Sequence, residues 1–179
     1  MYRLIKNGLL LVALIPLLPL VGCSDQPQSS QPTQTVNFIG KPAPDFSLTD
    51  MQGQRVTLAQ FHGKVVILNF WATWCPPCRE EMPSMERLSQ QFKDQGLVIL
   101  AVNIEQNGYP AVSSFLKRTP YSFPILLDIN AAVQNLYQIY RFPESFLIDR
   151  NGNVVDKIIG GRNWMSGSMM KKINFLLNG

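Results

Sequence analysis

The sequence predicts an α/β domain in which helices cover both faces of one central sheet. Two runs of apolar and β-branched residues, 65–70 and 97–104, lack the alternation of a half-exposed strand. Such runs are typical of strands that are buried on both faces. Helical segments follow both runs, and a hairpin and a last helix end the chain. A length of 179 residues suits one such domain with an additional segment at one end.

The first 22 residues have the pattern of an export signal. Arg3 and Lys6 give it a positive start, and an unbroken apolar run follows over residues 9–21. This run is shorter than the roughly 20 residues of a membrane-spanning helix, and the two prolines within it disfavour a continuous helix. We therefore expect residues 1–22 to be a signal peptide. An uncleaved membrane anchor is the alternative.

The segment Leu-Val-Gly-Cys at residues 20–23 resembles the signal box of bacterial lipoproteins. The resemblance implies that Cys23 becomes the lipidated N-terminus and attaches the chain to a bacterial membrane on its extracytoplasmic side. The alternative is an ordinary signal with an incidental cysteine. Residues 23–37 are rich in Ser, Gln, Pro and Thr, with Asp25 as their only charge, and are expected to form a flexible tether.

Residues 38–179 are expected to form one domain without internal repeats. The predicted strands are residues 45–49, 55–58, 65–70, 97–104, 125–127, 145–148 and 153–159. The predicted helices are residues 76–93, 110–118, a third that ends near Tyr137, and 165–177. The first two strands form an N-terminal β-hairpin that extends the central sheet.

Turn and cap residues set the limits of these elements. Gly96 can end the first helix, and Pro110 suits the first turn of the second. Asp128 or Asn130 can cap the third helix. The sequence Asp-Arg-Asn-Gly at residues 149–152 predicts the turn of the last hairpin.

Cys75 and Cys78 stand where the first buried strand meets its helix. Residues three apart on a helical turn are neighbours, so the two sulfurs can close a disulfide. Partial positive charge at the helix N-terminus favours the thiolate of Cys75. The predicted reaction is attack of Cys75 on a substrate disulfide, followed by attack of Cys78 on the mixed disulfide. No cofactor is expected besides this redox-active pair.

The sequence gives little support for metal binding or nucleic-acid binding. A structural zinc site needs four Cys or His ligands, and His62 is the chain's single histidine. Two thiolates and His62 could instead hold a soft metal, so a redox-linked copper carrier is the alternative function. No metal site is assigned, and His62 is given no catalytic role. The net charge of +4 comes from scattered residues, which argues against nucleic-acid binding.

Three segments carry a family resemblance. Residues 66–83, with Trp-Cys-Pro-Pro-Cys at 74–78, resemble the core of the TlpA/ResA-like group of membrane-anchored thioredoxins. Residues 40–46 resemble the entry segment of that group, and residues 142–149 resemble its proline segment. The resemblance implies a thioredoxin fold with a central mixed sheet, and an extracytoplasmic reductase of protein disulfides. It also implies a transmembrane thiol relay as electron donor and clients such as apocytochromes c.

Peroxiredoxins, the second enzymatic alternative, share parts of this pattern. Their peroxidatic cysteine follows the pattern Pro-x-x-x-Thr-x-x-Cys. Counted back from Cys75, the proline and threonine positions hold Leu68 and Ala72. Counted back from Cys78, they hold Trp71 and Cys75. Neither register matches, so peroxidase activity is not expected to be the main function.

Glu81 falls within the apolar stripe of the first helix, one turn after Cys78, whereas Glu80 points away from it. A carboxyl group there would be desolvated, which raises its pKa. The related reductases carry a glutamate at the matching position, so the resemblance implies that Glu81 handles the proton of Cys78. Alternatively, Glu81 lies at the edge of the stripe and reaches water where Pro83 bends the helix.

Pro143 resembles the cis-proline that faces the disulfide in thioredoxins, although an ordinary turn proline is the alternative. We expect Pro143, its neighbour Phe142 and Trp74 to form the substrate-binding surface. Trp71 fits either this surface or the core.

Pro76 and Pro77 remove two amide donors beside the sulfur of Cys75. With fewer donors, the Cys75 thiolate is less stabilised than the corresponding thiolate of a strongly oxidising relative. We therefore expect a reduction potential below about −180 mV.

Overall fold

The structure is a computed structural model that describes residues 37–179. The predicted signal peptide, the predicted lipidation site Cys23 and nearly all of the predicted tether therefore lie outside the described residues. Within residues 37–179, no helix has both the length and the apolar character needed to cross a bilayer.

A seven-stranded mixed sheet forms the centre of the fold. Its strands are β1 (Ser47–Asp50), β2 (Arg55–Thr57), β3 (Val65–Trp71), β4 (Leu97–Asn103), β5 (Ile125–Leu127), β6 (Glu144–Ile148) and β7 (Val154–Ile159). They lie in the order β2-β1-β5-β4-β3-β6-β7. β3 and β5 run parallel to β4, whereas β6 and β7 are antiparallel to their neighbours. The predicted N-terminal hairpin forms the β1–β2 edge of the sheet.

Four α-helices flank the sheet: α1 (Pro76–Phe92), α2 (Gly108–Leu116), α3 (Ala132–Leu136) and α4 (Gly167–Asn178). Buried side chains of α1, α2 and α4 share one apolar cluster with one face of the sheet. Those of α3 share a second cluster with the other face and with the N-terminal segment. The prediction of helices on both faces is therefore confirmed.

β3 is the central strand, and all seven of its residues are buried. Val65, Ile67 and Trp71 belong to the cluster around α1, and Val66, Leu68 and Phe70 belong to the opposite cluster. Burial of each such side chain contributes about 1.5–3 kcal/mol. Asn69 interrupts the apolar run and is fully buried on the α1 face of the strand.

The helix limits differ slightly from those predicted. α1 ends at Phe92, and a 3₁₀ turn continues the chain to Gly96, whose φ of 96° lies in the left-handed region. α2 begins at Gly108, which places Pro110 at its third residue. A proline there is tolerated because the amides of the first turn have no partner within the helix.

Both predicted capping residues serve α3. Asp128 accepts the amides of Val133 and Gln134 at 3.2 and 2.7 Å. Asn130 Oδ1 accepts the amide of Ala132 at 3.2 Å. These side chains satisfy amides that the short helix leaves unpaired.

Arg150, in the turn between β6 and β7, joins three distant segments. Its guanidinium donates to the carbonyl oxygens of Gly63, Gln95 and Leu177 at 2.7, 3.1 and 2.9 Å. The first two carbonyls come just before β3 and β4, respectively, and the third lies in the last turn of α4. Gly96 leaves room for this arrangement, since a Cβ there would lie 3.1 Å from a guanidinium nitrogen of Arg150.

Replacement of Arg150 by methionine should lower the free energy of unfolding by about 2–4 kcal/mol, because three backbone carbonyls lose a charged donor. Denaturant unfolding at neutral pH measures this change. Arg118→Met is the matched control, since Arg118 is exposed and should tolerate the change. Equal stabilities of the two variants would contradict the role of Arg150.

Candidate active site

The cysteine pair occupies the predicted junction between β3 and α1. Cys75 and Cys78 form a disulfide, with Cα atoms 5.3 Å apart. Cys75 is the N-cap of α1, and its sulfur accepts the amide of Cys78 at 3.4 Å. Cys78 is fully buried, whereas Cys75 keeps a small exposed surface. Cys75 is therefore the sulfur of the pair that a substrate can reach.

Pro76 and Pro77 occupy the first two helical positions after Cys75. Neither has an amide hydrogen, so the donor that remains to the Cys75 sulfur on this turn is the amide of Cys78. The sequence-based expectation of a weakly stabilised thiolate is consistent with this geometry.

The structure brings the three predicted substrate-surface residues together. Trp74 is 60% exposed, and its indole meets the ring of Phe142 edge to face at a centroid distance of 6.0 Å. The peptide bond between Phe142 and Pro143 is cis, as predicted. Glu144, which follows, pairs with Phe70 at the end of β3, so this surface lies beside the start of α1.

Trp71 belongs to the core. It is fully buried, and its ring packs against that of Phe115 at a centroid distance of 5.3 Å. Of the two roles considered for Trp71, the structure supports the core and not the substrate surface.

Glu81 is 2% exposed, in the interior between α1 and the sheet. Its Oε1 accepts from Asn69 Nδ2 at 2.9 Å. Its Oε2 accepts from Trp164 Nε1 at 3.1 Å and from the amide of Arg162 at 3.3 Å. The predicted burial is confirmed, and the alternative of a carboxyl group that reaches water is wrong. α1 continues through Pro83.

The environment of Glu81 shifts its ionisation. Desolvation by burial raises the pKa of the carboxyl group from 4.5 to about 7. The hydrogen bonds from Trp164, Asn69 and Arg162 and the positive charge of Arg162 oppose this rise. Glu81 can therefore gain or lose a proton near neutral pH.

Two of the donors to Glu81, Trp164 and Arg162, lie in the loop between β7 and α4. The sequence pattern did not predict that this loop contacts Glu81. The amide of Trp164 donates to Ser84 Oγ at 2.9 Å, which fixes the loop on α1. Gly161 permits a close approach, because a Cβ there would lie 2.9 Å from the carbonyl oxygen of Pro77. The role of Asn69 could have been suspected from the sequence, because Asn69 is a polar residue within a buried apolar strand.

Glu105 holds the segment that leads into Cys75. Its carboxylate accepts from the amide of Thr73 at 2.7 Å and from Thr73 Oγ1 at 2.9 Å. Asn103 Nδ2 donates to the same carboxylate at 2.8 Å. Glu105 follows β4, so this contact depends on the parallel pairing of β3 and β4 and was also not predicted.

A polar cavity of about 410 Å³ adjoins α1 on the side of the loop. Its lining includes Glu80, Glu81, Ser84, Arg87, Gly161 and Arg162. The cavity therefore brings the neighbourhood of Glu81 close to solvent.

His62 lies far from the cysteine pair. It precedes β3, whereas Cys75 follows the same strand, and seven strand residues span roughly 20 Å. His62 therefore cannot join the two sulfurs in a metal site. In the part of the chain that the structure describes, no group of three or more His, Cys, Asp or Glu residues could hold a metal ion.

This sheet, with a cysteine pair opening the helix after its central strand, defines a thiol–disulfide oxidoreductase of the thioredoxin fold. The Redoxin family model matches residues 38–172. The chain therefore belongs to the Redoxin family, and its named relatives place it among the ResA-like members.

The thiol-disulfide oxidoreductase ResA of Bacillus cereus is 43% identical over 122 residues, which cover 68% of this chain and 70% of that protein. The ResA protein of Geobacillus kaustophilus is 45% identical over 129 residues, or 71% and 72% of the two chains. A solved structure assigned as the thiol:disulfide interchange protein DsbE of Chlorobium tepidum has a TM-score of 0.71 at 35% identity. That match covers 76% of this chain and 95% of the other. The chain is thus an enzyme, a thiol–disulfide oxidoreductase.

The raised pKa of Glu81 should make stability depend on pH. Because the folded state binds the proton more tightly than the unfolded state, stability falls as the pH rises from about 4.5 through about 7. Relative to Glu81→Gln, the wild-type chain should lose about 3 kcal/mol across this range. Denaturant unfolding of the oxidised proteins at several pH values measures the difference.

Glu80→Gln is the matched control, because Glu80 is the exposed neighbour of Glu81. The stability difference between this control and the wild type should stay nearly constant over the same range. A constant difference for Glu81→Gln as well would contradict the burial of an ionisable carboxyl group at position 81.

Proposed function

We propose that this chain is an extracytoplasmic reductase of protein disulfides, held at a bacterial membrane by lipidated Cys23. Residues 1–22 would be the signal peptide, 23–37 the tether and 38–179 the catalytic domain. The observation that carries the reductase proposal is the partly accessible Cys75 beside a buried Cys78, with the ionisable Glu81 one turn further along α1. The lipoprotein-like segment that ends at Cys23 supports the location.

In the reduced protein, the Cys75 thiolate attacks one sulfur of a client disulfide. A mixed disulfide forms, and the first client sulfur leaves as a thiolate that takes a proton from water. Cys78 then transfers its proton to the Glu81 carboxylate and attacks the sulfur of Cys75. The second client sulfur leaves and is protonated. Two electrons pass to the client, and the enzyme retains the Cys75–Cys78 disulfide.

The surface of Trp74, Phe142 and Pro143 would bind the client. Its exposed indole and the adjacent phenyl ring offer apolar contact beside the reactive sulfur. Unfolded segments expose apolar side chains next to their cysteines, so this surface suits an extended and not yet folded client.

The reaction needs no cofactor besides the cysteine pair, but it needs a source of electrons. The resemblance to membrane-anchored thioredoxins supports a transmembrane thiol relay as donor and apocytochromes c among the clients. A membrane-anchored enzyme would meet both partners at the same bilayer.

Cysteine variants of the full chain test the proposal. The wild type should reduce insulin disulfides with a thiol donor and without added metal. Cys78→Ser should accumulate mixed disulfides with clients, because the resolving thiol is absent. Cys75→Ser is the matched control and should trap none. A wild type without a reversible two-electron couple, or with turnover only after copper is added, would contradict the proposal.

Glu81→Gln should change the pH profile of disulfide exchange. If the carboxylate accepts the proton of Cys78, the wild-type rate should show an ionisation near pH 7. The variant should lose this ionisation and react about 10²-fold more slowly above it. Stopped-flow reduction of a small disulfide measures both effects. Glu80→Gln should keep the wild-type profile, and an unchanged profile for Glu81→Gln would remove Glu81 from the mechanism.

The reduction potential should lie below about −180 mV, because two prolines leave the Cys75 thiolate with few donors. Equilibration with glutathione buffers of known ratio measures this potential. A reduction potential of about −120 mV, typical of a strong oxidant, would refute the expectation.

A further inference from the structure

Within residues 37–179, every hydrogen-bond partner of the Glu81 carboxyl group is an N–H donor. These donors are the side-chain amide of Asn69 on β3, and the indole of Trp164 and the amide of Arg162 in the loop after β7. The Arg162 guanidinium acts on the carboxyl group electrostatically, Glu80 and Arg87 line the same cavity, and Cys78 lies one turn away on α1. This arrangement satisfies an ionised carboxylate, whose oxygens only accept hydrogen bonds.

A protonated Glu81 has a different requirement. Its O–H group is a donor and needs an acceptor, because an unpaired polar group in the interior is costly. An indole N–H, a backbone N–H and an amide NH₂ cannot accept. None of these three groups can therefore accept a hydrogen bond from protonated Glu81, which leaves Asn69 or water in the adjoining cavity as the acceptor.

Asn69 holds the missing acceptor. Its Oδ1 is buried and has no hydrogen-bond partner among the described residues. Its Nδ2 donates to Glu81 Oε1 and to Ser145 Oγ, both at 2.9 Å. The hydroxyl of Ser145 can either accept or donate a hydrogen bond. A half-turn of the amide about its Cβ–Cγ axis would thus present Oδ1 to two partners that can both donate to it.

We propose that Asn69 is a positioning residue whose side-chain amide reverses when Glu81 gains or loses its proton. With Glu81 ionised, Nδ2 donates to Glu81 and to Ser145. With Glu81 protonated, Oδ1 accepts from the Glu81 O–H and from the Ser145 hydroxyl. One proton is taken up, and no covalent bond other than the new O–H changes.

Reversal limits the number of unpaired polar groups in the interior. In the ionised state, the unpaired atom is Asn69 Oδ1. Without reversal, a proton on the oxygen that faces Asn69 would add the Glu81 O–H as a second unpaired group. With reversal, the unpaired group is the Nδ2 of Asn69, which carries two N–H donors. The buried network can therefore accommodate either protonation state of Glu81, as a residue that exchanges a proton with Cys78 requires. That link to Cys78 rests on the proposed function, whereas the reversal does not.

Side-chain amide resonances of the oxidised full chain, labelled with ¹⁵N, test the reversal. Both Nδ2 protons of Asn69 should move upfield as the pH falls through the Glu81 midpoint near 7, because they lose both acceptors. Signals that stay at their hydrogen-bonded positions on both sides of the midpoint would overturn the proposal.

Glu81→Gln provides a second, independent readout. Two donors, Trp164 and Arg162, face one oxygen position, so the glutamine carbonyl should occupy that position and its NH₂ should face Asn69. Asn69 should then remain reversed at every pH, with signals at the low-pH positions of the wild type. Signals at the high-pH positions of the wild type would contradict the reversal.

Two controls accompany these measurements. Glu80→Gln should leave the Asn69 transition unchanged, since Glu80 is exposed. The amide of Asn103, which donates to Glu105, should not follow the Glu81 midpoint. The spectra require no substrate. Reversal without insulin reduction would therefore contradict only the proposed function, and insulin reduction with a static Asn69 would contradict only the reversal.

Discussion

The burial of one ionisable carboxyl group constrains the rest of this structure. Glu81 lies in an interior that disfavours its charge, yet one strand and one loop direct three N–H donors at it. The loop between β7 and α4 is fixed on α1 by the same carboxylate and by Ser84. The geometry of the cysteine pair, the position of the loop and the ionisation of Glu81 are thus parts of one packing arrangement.

Residues close together in sequence carried most of what could be predicted. The apolar run of β3 predicted a strand buried on both faces, and the spacing of Cys75 and Cys78 predicted the redox pair. The structure contains both. The helical period alone placed Glu81 in the interior, and the structure confirms this. The cis-proline at Pro143 followed from the family resemblance and not from local chemistry. Local periodicity succeeds here because a single helix and a single strand define the centre of the site.

Contacts between distant segments were beyond sequence reasoning. Trp164 reaches Glu81 across 83 residues, and no local pattern distinguishes it from an ordinary core tryptophan. Glu105 reaches Thr73 because β3 and β4 are parallel neighbours, which aligns the two strand ends. The start of α2 at Gly108 was missed because proline was assumed to open the helix. In each case, tertiary packing selected one of several locally acceptable arrangements.

The close approach of Gly161 to Pro77 has a consequence for redesign of the motif. The backbone of Pro77 supports the loop that also carries the donors to Glu81, and a Cβ at Gly161 would not fit between them. A substitution between the two cysteines that moves the backbone of Pro77 would shift this loop as well, because Gly161 lies against the Pro77 carbonyl oxygen. A redesign that retunes electron affinity therefore spares the acid–base behaviour of Glu81 only where the Pro77 backbone stays in place.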